Sequence, residues 1–222
     1  MGLGRAGHYI ESHLDALHRK VLDNVVLPVF CINTQNDRLK DIQVTRELID
    51  KYRPYDVEPQ VVYRANDHWS YGAWQEAIIW LLNNRPDIKY AMLIEDDYLP
   101  VRPDFAVPFI QSLKHYNGAF CCQYIWLDGE KFVSASISNG MIDLDKARTI
   151  FNEHKCVFML SPDETQWSSQ RFFVNLMANK YPILGLNNYT HPFSETYITE
   201  TSIYKKELIR GGTAGVLLRP LE

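Results

Sequence analysis

The sequence predicts one α/β domain: a mostly parallel central sheet flanked by helices, followed by a more mixed C-terminal half. Three observations carry that expectation. Asn24–Ile32 and Tyr90–Ile94 are continuous apolar runs, as strands buried on both faces require. Apolar residues at helical spacing lie between the strand-like runs. The resulting strand–helix–strand–helix–strand order calls for parallel pairing through right-handed crossovers.

The elements follow in chain order. After the first strand, Leu39, Ile42, Ile49 and Tyr52 mark a helix that Pro54 stops, because proline has no N–H to continue it. Gln60–Tyr63 is a short second strand. Ser70 can cap the next helix, whose Trp74, Ile78, Leu81 and Leu82 form one stripe, with Asn83, Asn84 and Pro86 ending it. Tyr90–Ile94 then runs directly into Glu95-Asp96-Asp97. Beyond Pro100 the pattern changes: Ala119–Leu127 and Lys131–Ala135 flank Asp128-Gly129, a two-residue hairpin signal. Asp143–Glu153 reads as a helix, Cys156–Leu160 as a strand, Ser161–Asn179 as a longer helix and Ile183–Leu186 as a final short strand. No repeat or linker divides the 222 residues, so a single domain over 1–222 is expected, with halves at about 24–97 and 98–222.

Composition narrows the classes. A 46% hydrophobic chain can bury a core, which excludes intrinsic disorder. With 23 Lys+Arg against 27 Asp+Glu, the net charge of −4 leaves no basic footprint for nucleic acid. No apolar run reaches the roughly 20 residues of a membrane span. Met1–Lys20 lacks an apolar signal region, and Gly2 is followed by Ala6 where a myristoylation motif needs Ser or Thr. A cytoplasmic location is therefore expected. Cys31, Cys121, Cys122 and Cys156 lie in apolar runs without a C-x-x-C pair, so they read as reduced, buried small hydrophobes. Adjacent Cys121 and Cys122 would face opposite sides of a strand.

Open α/β sheets bind ligands beyond the carboxyl ends of their strands. Glu95, Asp96 and Asp97 stand at such an end, and packing does not call for three adjacent carboxylates. A hard divalent cation relieves their repulsion; Mg²⁺ or Mn²⁺ favours oxygen ligands and completes its shell with water and phosphates. A solvated acidic turn before Pro100 would also account for them.

Arg64-Ala65-Asn66-Asp67, Ser70-Tyr71-Gly72, the following helix and the strand ending in Glu95-Asp96-Asp97 resemble the nucleotide-sugar half of a GT-A glycosyltransferase. The resemblance covers about Val25 to Asp97, with general layout beyond. It implies a GT-A-like fold and a D-x-D-type motif, here E-D-D. Asp97 would then be the Mn²⁺ or Mg²⁺ ligand, with Asp96 and Glu95 facing the ribose or the waters of the metal. It also implies that residues after the first strand cup the base and ribose, here Asn33, Thr34 and Arg38. Asn36 or Asp37 in that stretch equally suits a helix cap. Asn66, Tyr71 and Gly72 precede a helix at which ligand and backbone could approach closely, and Arg64 could donate two hydrogen bonds to a phosphate or pair with an acid.

In the same family the acceptor is deprotonated by a carboxylate downstream, which Asp163-Glu164-Thr165-Gln166-Trp167 resembles, with Glu164 as base and Asp163 in reserve. Ser161-Pro162-Asp163-Glu164 also forms a good helix start: Ser161 as cap, Pro162 next, Glu164 closing a capping box. The loop through Asn139-Gly140 would lie beneath the sugar, or serve as an ordinary turn. His191 is the candidate late metal ligand, or a turn residue. Lys205, Lys206 and Arg210 could neutralise diphosphate or line a solvated helix face.

These residues imply an inverting, metal-dependent transfer from a nucleoside diphosphate sugar, with a UDP-sugar as the expected donor, to an acceptor hydroxyl on a carbohydrate or other molecule. A sugar-1-phosphate nucleotidyltransferase is the nearest alternative, but it needs a Gly-rich basic loop where this chain has Asn33-Thr34-Gln35-Asn36. A non-catalytic module of the same fold is the other.

Overall fold

The computed structural model describes residues 29–33, 43, 46–47, 50–51, 60–64, 68–94, 98–100, 106–128, 131–135, 139–158, 180–190 and 204–206. Strands β1 (Val29–Asn33) and β2 (Gln60–Arg64) pair in parallel, with Val29 opposite Gln60 and Asn33 opposite Arg64. Residues 43, 46, 47, 50 and 51, on the intervening connection, are helical and exposed. They form the polar side of the helix that Leu39, Ile42, Ile49 and Tyr52 predict.

Helix α1 (Trp69–Asn84) buries Tyr71, Trp74, Ile78, Leu81 and Leu82, the predicted stripe plus one tyrosine. Its start differs from expectation. His68, not Ser70, is the cap residue; it adopts a left-handed conformation with φ 61° and makes no side-chain capping bond. Ser70 already has helical backbone, which a cap position does not. The helix ends at Asn84, with the Arg85 amide bonded to the Leu81 carbonyl.

The next elements are β3 (Tyr90–Ile94), β4 (Tyr98–Pro100) and helix α2 (Val107–Tyr116). The sequence predicts no element between Pro100 and Ala119, so α2 is new. Strand β5 (Phe120–Asp128) turns through two residues into β6 (Lys131–Ala135), the expected hairpin, with a register shift between Trp126 and Leu127. Then come β7 (Asn139–Asp143), helix α3 (Leu144–His154), β8 (Ile183–Thr190) and β9 (Tyr204–Lys206).

Five strands form the main sheet, in the order β3-β7-β5-β6, with β8 on the other side of β5. Strand β7 is antiparallel to both β3 and β5, and β8 is parallel to β5. The sheet is therefore mixed, correcting the expectation of mostly parallel pairing. The cause is the hairpin: β6 folds back along the far half of β5, and β7 continues on that side into the gap beside β3. Strands β3, β5 and β8 nevertheless share one direction.

Both faces of the sheet are covered. On one, Ala91, Leu93, Phe120, Cys122 and Ile142 pack with α1 and with Leu144, Ala147 and Ile150 of α3. On the other, Cys121 and Met141 pack with Phe109 and Leu113 of α2, flanked by Tyr90, Met92 and Ile94. The alternation along β3 and across Cys121-Cys122 is the period of two that a strand imposes. Gly140 is obligatory here, because a Cβ would run into the Phe120 ring. Among the described residues, no helix is long and apolar enough to cross a membrane.

Asp143 caps α3, accepting hydrogen bonds from the amides of Asp145 and Lys146 at 3.0 and 3.1 Å. The described part of Cys156–Leu160, residues 156–158, is not a strand; the amides of Val157 and Phe158 bond a side chain instead of a neighbouring strand.

Candidate functional site

One turn of α1 touches the middle of β1 and the ends of β2 and β3. The Cys31 thiol on β1 donates to the Ala73 carbonyl at 3.2 Å. The Trp74 Nε1–H donates to the carbonyl of Ile94, the last residue of β3, at 3.3 Å. Glu76 Oε1 lies 3.1 Å from Arg64 Nε at the end of β2. Between these, Gln75 Oε1 accepts from the backbone amides of Val157 and Phe158, at 3.0 and 2.9 Å.

This arrangement decides between the two readings of Arg64 and revises two further expectations. Arg64 is 7% exposed and paired with half-exposed Glu76, so it is an internal tie between β2 and α1 rather than an open phosphate donor. Burying a guanidinium needs such a partner, since an uncompensated charge away from water is costly. Tyr71 is 2% exposed and meets Trp74 and Phe158 edge to face, with ring centroids 5.2 and 5.4 Å apart. It belongs to the core rather than to a ligand-facing surface. The Gly72 amide, expected near a ligand, donates to the His68 carbonyl at 3.1 Å inside the first helical turn.

Asn33 closes β1 opposite Arg64. Thr34, Arg38, Asn66, Glu95, Asp96, Asp97, Asp163, Glu164 and His191 lie outside the described residues. The flanks of Glu95-Asp96-Asp97 and of His191 are described on at least one side. Glu95-Asp96-Asp97 joins Ile94 of β3 to Tyr98 of β4, and β4 pairs antiparallel with β9 so that Tyr98 lies opposite Lys206. Lys205 and Lys206 therefore belong to a strand, not to a solvated helix. Asn139, expected in a loop, begins β7 directly opposite Ile94. His191 follows Thr190, which pairs with Leu127 at the far end of β5.

Among the described residues, no group of three or more His, Cys, Asp and Glu is gathered to hold a metal. The donor set that suits one is the acidic triad between β3 and β4, whose oxygen-only chemistry fits Mg²⁺ or Mn²⁺. Burial, with a smaller push from Glu76, raises Cys31 to about 11, and burial raises Cys121 to about 12. Cys156 is also raised by burial.

Trp74 and Gln75 are the residues that sequence reasoning missed. Periodicity assigns Trp74 to the core, which is right for its ring and silent about its N–H. Nothing in the pattern distinguishes Gln75 from any other polar residue beside an apolar stripe. Compared with protein-family models and with curated proteins, the chain matches none.

Proposed function

We propose that the chain is a GT-A-like, metal-dependent glycosyltransferase that moves a sugar from a nucleoside diphosphate donor, UDP-sugars first, to an acceptor hydroxyl with inversion. The observation that carries this reading is the exit of β3. Its last carbonyl is held by Trp74, Glu95-Asp96-Asp97 follows at once, and the middle of β1 and the end of β2 stand against the same turn of α1. Ligands of open α/β sheets collect beyond such strand ends.

Asp97 and Asp96 would hold the cation, which would supply Lewis-acid stabilisation of the departing diphosphate. Asn33, Thr34, Arg38 and Asn66 are the remaining candidates for base, ribose and phosphate contacts. As the acceptor oxygen bonds to the anomeric carbon, the bond from that carbon to the phosphate oxygen breaks. The acceptor proton passes to the Glu164 carboxylate, and the electron pair of the broken bond leaves with the diphosphate. Asp163 is the reserve for that base, and His191 the candidate further ligand.

Thermal unfolding with UDP, GDP, dTDP and CMP, each with and without Mn²⁺, tests the donor site. A nucleotide at 100 times its Kd adds about 2.7 kcal/mol of stability. The expected result is a shift for one nucleotide that needs the metal and disappears in Asp97→Ala. Glu164→Gln keeps that shift and loses turnover. No shift with any pair sinks the reading.

A further inference from the structure

We propose that the outer edge of β8 (Ile183–Thr190) is a pairing surface for a second copy of this chain, the two β8 strands meeting antiparallel about a two-fold axis normal to the sheet. The inference is independent of the reading of function above.

Strand β8 runs parallel to β5 over its whole length, from Ile183 opposite Phe120 to Thr190 opposite Leu127, without a shift of register. Among the described residues β5 is the only strand it pairs with. A parallel ladder uses alternate residues of a strand for each neighbour, so every second residue of β8 turns its N–H and C=O away from β5. Such an edge is a template for another strand unless charge, proline, a bulge or shortness guards it. None of these guards is present: β8 is eight residues long, ILGLNNYT, with neither a charged side chain nor a proline. The opposite border of this half of the sheet is different. There β6 has five residues, opens on Lys131 and lies against the register shift of β5.

A second copy fits this edge in length, charge and face. It offers an open strand of the same eight residues. Two copies bring the same side chains together, so a charge near the axis would meet its like, and a neutral strand has none to repel. An axis normal to the sheet keeps each face on its own side. Leu184 and Leu186 pack into the cluster beneath α2, Ile183 into the one beneath α1 and α3, and all three are only partly buried. With Leu186 opposite its own counterpart, the leucines of both copies meet on the α2 face and carry that cluster across the junction. A strand pair of this length covers less than the roughly 1,600 Å² of a standard interface, so the dimer is weak, with a Kd on the order of 10 μM.

Sedimentation velocity of the full chain between about 1 and 100 μM tests the pairing, and the mass should double across that range. Asn187→Lys, which sets a charge in mid-edge, should weaken the dimer by about tenfold or more with an unchanged melting temperature. A chain still monomeric at about 100 μM, or a folded Asn187→Lys variant that dimerises like the wild type, overturns the proposal. Amide exchange of the wild type decides the matter even if the variant does not fold. Protection at alternate residues of 183–190 should rise about tenfold over the same concentrations while β5 stays protected throughout. Edge amides protected equally at every concentration are covered within one chain, and that result overturns the pairing. So does a dimer whose change in exchange falls outside 183–190.

Discussion

The two ends of the main sheet are held in opposite ways. Where β3 begins and β7 ends, backbone meets backbone: the Leu144 amide donates to Lys89 at 2.8 Å, Asp143 to Ala119 at 2.9 Å, and Ala119 to Pro182 at 3.1 Å. Asp143 caps α3 there, and the Lys146 ammonium donates to the Gly118 carbonyl at 2.7 Å. Where β3 ends, the described ties instead reach through the side chains of one turn of α1, and that helix starts on His68 without a side-chain cap. The first end rests mainly on peptide groups that every sequence possesses, with the Asp143 and Lys146 side chains added. The second depends on Trp74, Gln75 and Glu76, which single substitutions can retune, and it is this end that carries the candidate site.

The largest expected effect lies in neither set of ties but in the packing between them. Gly140→Val, which drives a side chain into the Phe120 ring, should cost more than about 3 kcal/mol in chemical denaturation. Gly118→Ala meets the Leu184 side chain at 2.6 Å and the Pro182 carbonyl oxygen at 3.2 Å, and should cost less, about 1–2 kcal/mol, because the leucine can turn aside. Equal losses would mean that the Phe120 ring does not sit over β7.

Alkaline titration comes next, because it reads the side-chain-held end through Cys31. Its folded pKa of about 11 lies above the ordinary 9.0, so its contribution is complete below pH 9 and lost as pH rises towards 11. The loss is on the order of 2–3 kcal/mol. Cys31→Ala should make the fall between pH 9 and 11 about half as steep, leaving the fall from Cys121, which begins at the same pH and extends to about 12. An unchanged profile in Cys31→Ala would show that the thiol is not buried beside Glu76.

Asp143→Ala should cost about 1–2 kcal/mol by uncapping α3, with nucleotide binding unaltered. Altered binding would mean that the two ends of the sheet are not independent. Smallest of all is Arg85→Ala. It removes a bidentate contact to Asp87, whose carboxyl the arginine holds below its usual range, but the pair is exposed and the melting temperature should not move.

Much of this architecture was legible because apolar runs report burial directly. Tyr90–Ile94 is a strand over the predicted residues, and Trp74, Ile78, Leu81 and Leu82 all face the core. Helix α2 was missed although Ala106, Phe109, Ile110 and Leu113 follow helical spacing, because ten residues beside three prolines read as connection. Strand β7 was hidden by Asn139-Gly140, whose turn chemistry is overruled by the fit of Gly140 against Phe120. Val157 and Phe158 read as strand because an apolar run shows burial and not the identity of the hydrogen-bond acceptor. Of the candidate site, the sequence misjudged Tyr71, since one sequence does not show whether an aromatic before a helix turns inward, and it left Arg64 open between a phosphate and the acid with which it pairs.

Cys121 and Cys122 are consecutive residues whose side chains enter different clusters, one beneath α2 and one beneath α1 and α3. A thiol reagent reaches each only when the layer above it lifts. The chain thus carries two adjacent reporters, a single peptide bond apart, that can time the opening of the two layers separately in one labelling experiment.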